Sequence, residues 1–204
     1  VYKRQVGADY ASASGWLTGG GVHLISLKPR TSSVWNEKTY KVNERMTALS
    51  YEAHVKYTGR HFTFAAKSLL ASCLDHTALI GGYGISSIDP DNGEQEYTPF
   101  WHSTSWINFT CGTKWKGHFF AGYTKNLGTA DVLVSATVYG MGLDIDQVFS
   151  TNIAFSYNLP HWQIGMEYMP TTAWYGDTDK VSGKTVNTHS VTNHRILGLV
   201  MYYF

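Results

Sequence analysis

The chain has 204 residues, a formal charge of +1 and 15% charged residues, with Lys and Arg scattered rather than clustered; that balance offers no basic field and excludes nucleic acid as an expected partner. Its 14 Tyr, 9 Phe and 7 Trp beside 20 Gly and 5 Pro favour strands and turns over helices. No apolar run approaches the ~20 residues of a membrane-spanning helix, whereas 43% hydrophobic residues and a mean hydropathy of −0.21 fit strands wetted on one side, as in a transmembrane barrel.

In chain order, residues 1–5 (VYKRQ) read as a non-native end and are set apart from the fold, leaving residues 6–204 as one domain. The chain opens without Met or a secretory signal, so it is expected to be a fragment. Residues 17–28 are the first expected strand. Residues 46–57 give the clearest period-two signal: Leu49, Tyr51, Ala53, Val55 and Tyr57 alternate with Ala48, Ser50, Glu52, His54 and Lys56. Thr58, Gly59 and Arg60 turn the chain, and Phe62, Phe64, Ala66 and Leu70 resume the apolar face opposite Thr63 and Lys67. Hairpins of the same kind are predicted at 103–113 with 118–127 and at 150–157 with 162–170. The last strand is predicted over 194–204. Short turns alternate strictly with long polar connections near 29–45, 73–102, 128–149 and 171–193.

That alternation is expected of a barrel inserted from one side of a membrane, with short turns on the near side and long loops beyond. The expected fold is therefore an all-β antiparallel transmembrane barrel, about eight strands here, closed so that every backbone polar group finds a partner. Tyr51, Tyr57, Trp162, Tyr168, Tyr202 and Phe204 sit where aromatic girdles meet headgroups. Parity places Glu52, His54, Lys56, Lys67, Glu167 and Arg195 on the opposite, water-facing side, where charges of both signs set a local field for permeant ions.

Other motifs read less specifically. Residues 132–139 (VLVSATVY) are apolar enough to fold inward and narrow a pore, or simply extend two strands outside it. Asp89, Asp91, Glu94 and Glu96 hint at a Ca²⁺ loop, but the EF-hand pattern fails at Gly93 and Phe100, leaving an acidic surface loop. The nine His form no metal-binding spacing; His189 and His194, five apart, are typical. Asn108, Phe109 and Thr110 form a chance glycosylation sequon, and Cys73 and Cys111 read as free thiols ahead of a bridge. No metal or cofactor is expected.

Several segments together resemble the DcaP-type trimeric outer-membrane porins, especially those of Bacteroidetes: residues 55–67 (VKYTGRHFTFAAK), 76–84 (HTALIGGYG), 122–128 (GYTKNLG), 139–146 (YGMGLDID) and 193–204 (NHRILGLVMYYF). The ending, with Ile196, Gly198, Val200, Tyr202 and Phe204 at alternate positions, is similar to the insertion signal read by the barrel assembly machinery. The resemblance implies a sixteen-strand barrel of which this chain is the C-terminal portion, a homotrimer in bacterial outer-membrane lipid, and passive passage of small hydrophilic, often anionic, solutes. Met141 departs from the polar or basic residue expected in its loop. Two other functions stand beside the channel. One is a barrel lipid hydrolase, for which Ser68 and Ser150 lack an assignable partner His; the other is a small structural or adhesive barrel whose eight strands fill their own interior.

Overall fold

The computed structural model describes residues 1–74 and 80–204, and among these the protein is all-β, with antiparallel strands and no helix. His76 to Leu79 of the HTALIGGYG segment lie outside the described residues. One path of long strands runs through β1 (Tyr2–Ala11), β2 (Trp16–Leu27), β5 (Met46–Thr58), β6 (Phe62–Ser72), β8 (Gln95–Gly112), β9 (Trp115–Thr129), β11 (Ile145–Asn158), β12 (Trp162–Thr178) and β13 (Thr185–Tyr202), each beside the next. Shorter strands β3 (Ser32–Trp35) and β4 (Lys38–Lys41) form a separate hairpin, and β7 (Gly81–Ile88) joins β8 on one side and β10 (Val138–Met141) on the other.

Three expectations require correction. Among the described residues the strands number thirteen rather than eight, because β1 precedes the first expected strand and the long connections contain β3, β4, β7 and β10; β8, β12 and β13 also run well past the segments that alternate in hydrophobicity. Residues 171–193, expected as a loop, are mostly strand, and only 179–184 turn the chain. Among the described residues the sheet is also not closed: β1 and β13 each pair on one side alone. Tyr2 to Gln5, set apart on sequence, continue β1 in register with Ser26 to His23.

Four tight turns, at 12–15, 59–61, 113–114 and 159–161, lie at one end of the sheet, and all longer connections lie at the other. The turn backbone is stitched across strands, as where Thr58 N donates to Gly15 O at 2.8 Å. Gly15 has φ of +89° and a Cβ there would stand 2.4 Å from Thr58 O, so both conformation and space require glycine.

Buried apolar residues gather at the long-connection end. Met46, Ala48 and Cys73 pack with Leu27, Tyr83 and Tyr97; Ile25, Ala71 and Leu74 pack with Leu69; Phe100, Leu133 and Leu143 pack with Val138. Within 132–139, Leu133 is buried and Val138 half-buried in this cluster, while Val132 and Val134 stay exposed. The acidic loop has a structural use: Glu94 Oε1 accepts from Asn43 N at 2.6 Å and Glu44 N at 2.9 Å, and Trp35 Nε1 donates to Pro90 O at 2.7 Å, so it anchors the β3–β4 hairpin. Among the described residues no group of three acidic, His or Cys side chains is arranged to hold a metal. Cys73 is buried, Cys111 is exposed, and they form no disulfide.

Candidate functional site

The registers sort the side chains of the long strands onto two faces. One carries Trp16, Tyr57, Phe62, Phe109, Trp115, Tyr157, Trp162 and Tyr202 near the short turns. Neighbouring rings in this inclined row touch: Trp16 and Tyr57 have centroids 4.8 Å apart, Tyr57 and Phe62 5.2 Å, Phe62 and Phe109 5.7 Å, Trp115 and Tyr157 4.5 Å, and Trp162 and Tyr202 4.7 Å. Tyr202 continues to Phe204 at 5.0 Å. A second row on the same face holds Tyr51, Tyr123, Phe149 and Tyr168, six to eight positions further along the strands, or about 20 to 27 Å of extended chain.

Between the rows this face is apolar. It presents Val55, Ala66, Ile107, Phe119, Ala121, Ile153, Phe155, Ile164, Met166, Ile196 and Val200, with no Asp, Glu, Lys or Arg among the described residues. Many are exposed, Phe155 at 62% and Val200 at 65%. Polar side chains there find local partners: the Ser68 and Ser105 hydroxyls bond each other at 2.9 Å, and Thr18 Oγ1 donates to His54 O at 3.3 Å. Ile196, Gly198, Val200 and Tyr202 all fall on this face, paired with Tyr168, Met166, Ile164 and Trp162.

The opposite face carries the charge. Glu52, His54, Lys56, Lys67, Glu167 and Arg195 share it by register, as parity predicts. Lys67 Nζ lies 2.6 Å from Glu52 Oε2, with His23 Nε2 3.3 Å from the same oxygen. His54 Nε2 lies 3.2 Å from Asp9 Oδ1. Both clusters depend on the glycines of β2. A Cβ on Gly19 would stand 2.0 Å from Asp9 Oδ1 and 2.9 Å from His54, and one on Gly21 would press on the Glu52 side chain at 3.3 Å. Beside Lys67 and Glu52 a cavity of about 740 Å³ opens along this face.

Sequence reading gave the parity of these six residues but not their grouping. The structure brings Glu52 and Lys67 together, leaves His54 to pair with Asp9, and sets Glu167 and Arg195 apart on β12 and β13. Asp9 and His23 were missed, since neither lies in a segment with a strong alternating signal. Ser68 bonds Ser105, and Ser150 bonds Thr171 at 2.7 Å. No protein-family model, curated protein or solved structure matches the chain.

Proposed function

We propose that the protein forms part of the wall of an outer-membrane channel through which small hydrophilic solutes diffuse. The observation that carries this reading is the segregation of charge between the two aromatic rows: among the described residues one face holds no charged side chain, and the other holds Glu52, Lys56, Lys67 and Glu167. In a lipid-facing position at mid-depth a Lys or Arg costs ~2 to 4 kcal/mol, whereas a water-filled interior tolerates it. Aromatic rows at two levels match the interfacial girdles of such barrels, because amphipathic rings favour the headgroup level. From row to row each strand spends slightly fewer residues than the ~9 to 11 of a typical crossing, in keeping with the thinner bacterial outer membrane.

The open edges fit a barrel completed by further strands. β1 and β13 run in the same direction, both from the long-connection end toward the short turns, so joining them directly would create a parallel junction in an otherwise antiparallel wall. An odd number of added strands closes it antiparallel, as the sixteen-strand DcaP-type architecture would. On this reading Ile196, Gly198, Val200, Tyr202 and Phe204 serve the assembly machinery, the apolar face meets lipid or a neighbouring barrel of a homotrimer, and the charged face lines the pore.

Planar-bilayer recording on the intact protein tests the proposal. Discrete conductance steps with a measurable reversal potential in a salt gradient are expected. A protein that remains dispersed without detergent and gives no steps overturns it. Release of fatty acid from phospholipid vesicles would point instead to the hydrolase.

A further inference from the structure

Between the aromatic rows, the charged face carries two large aromatic side chains among the described residues, Trp106 on β8 and Phe120 on β9. Trp106 stands opposite Lys67 on one side and Gly122 on the other. Gly122 leaves room for the rings: a Cβ there would lie 3.0 Å from the end of Phe120 and 3.7 Å from Trp106. The two rings are 6.3 Å apart and tilted by 34°, and both stay half-exposed. Trp106 also lines the cavity of about 740 Å³ shared with Glu52, Lys67 and Thr104, and Phe120 lines a second of about 420 Å³ shared with Asn108, Asn152 and Glu167.

We propose that this strip binds saccharides: pyranose rings lie on Trp106 and Phe120 while their hydroxyls bond Glu52 and Lys67 at one end and Asn108 and Asn152 at the other. Half-exposed rings on a water-facing wall leave apolar surface in water that a ligand with an apolar face can cover. The face of an aromatic ring is electron-rich and suits the C–H face of a sugar. Lys67 is paired with Glu52 at 2.6 Å, so beside Trp106 a polyol meets donor and acceptor together; Lys3 and Arg4 line the same cavity, so acidic sugars fit the class as well as neutral ones. The cavity beside Trp106 falls within the usual range for ligand sites, and the two rings in line suit more than one sugar unit.

The inference rests on the charged face being the channel interior, and the test separates the two. Maltohexaose and cellohexaose are titrated calorimetrically into the intact, detergent-solubilised protein, and the same preparation is recorded in bilayers. Saturable binding of either sugar is expected. Trp106→Ala should weaken it by about tenfold or more, and the volume-conserving Phe120→Leu should weaken it measurably if the alanine variant does not fold. Absence of binding to both sugars by folded protein overturns the site, whether or not the protein conducts, and so does binding indifferent to both substitutions. Sugar binding without conductance keeps the site and removes the channel.

Discussion

Ile153 and Asn152 are sequence neighbours on opposite faces of β11, with Ile153 48% exposed on the apolar side. If that side meets lipid, Ile153→Lys puts an ammonium near mid-depth and should destabilise the folded protein by ~2 to 4 kcal/mol; Asn152→Lys, facing water, should change stability by well under half of that. Urea titration of the protein folded into lipid vesicles measures both. Equal losses would mean that the two faces do not differ in solvent. Charge on the other face is read electrically: Lys56→Glu or Arg195→Glu removes a positive charge and adds a negative one, and should shift the reversal potential toward cation preference. An unchanged value removes the substituted residue from the pore lining. Residue parity was legible from sequence because along β5 each apolar residue from Leu49 to Val55 is followed by a polar one on the opposite face. The ion pairs were not, since which Lys reaches Glu52 depends on strand order and on the space left by Gly21.

At the level of elements, three of the four hairpins joined by tight turns were legible, whereas the β1–β2 hairpin and the ends of the strands toward the long connections were not. Beyond the second aromatic row the apolar face ends, so residues 185–193 (TVNTHSVTN) continue β13 with no hydrophobic alternation to reveal it. The pairing of β10 with β7 is hidden for another reason. It depends on backbone approach, with a Cβ on Gly82 lying 2.1 Å from Tyr139 O, and such a contact leaves only glycines in the sequence. Leu133 holds the segment between β9 and β10: it is buried against Phe100 and Leu143, and its N donates to Lys180 O at 2.8 Å. Leu133→Ala should cost roughly 2 to 5 kcal/mol of local stability, seen as faster amide exchange over residues 130–141 with β5 and β6 unchanged. Exchange that quickens throughout would show that the segment is not a separable unit. In the turn between β12 and β13, hydrogen bonds from the Ser182 hydroxyl and from the Val181 and Ser182 amides hold the Asp179 carboxyl below its usual range. A depressed pKa makes the contribution present above the unfolded value and lost as pH falls through the folded one. The exposed turn should therefore loosen only below about pH 4, and Asp179→Asn should abolish that dependence in the exchange of the Val181 and Ser182 amides.

For the whole molecule, the two unpaired edges are the decisive feature. β1 is exposed along all ten of its residues, and β13 along nearly all of its eighteen. In water such edges invite pairing with other chains; in lipid every unpaired N–H and C=O costs several kcal/mol, so an open sheet is not a stable end state there. Two closures are available. If β1 met β13 directly, cysteines placed on those strands would come within the 4.4 to 6.8 Å Cα separation that a disulfide needs. If further strands intervene, no placement along the edge does so, because each added strand moves the edges ~4.8 Å further apart around the wall. With Cys73 and Cys111 replaced by Ser, Val6→Cys can be combined in turn with cysteine at 194, 196, 198 and 200 in the intact protein. Oxidation should give no intramolecular crosslink in any pair, while a control pair across the β12–β13 ladder, Met166→Cys with Gly198→Cys, should crosslink readily. A crosslink from Val6 to β13 would mean a narrow nine-strand barrel, too small for the channel proposed above, and the charged face would then be a packed interior.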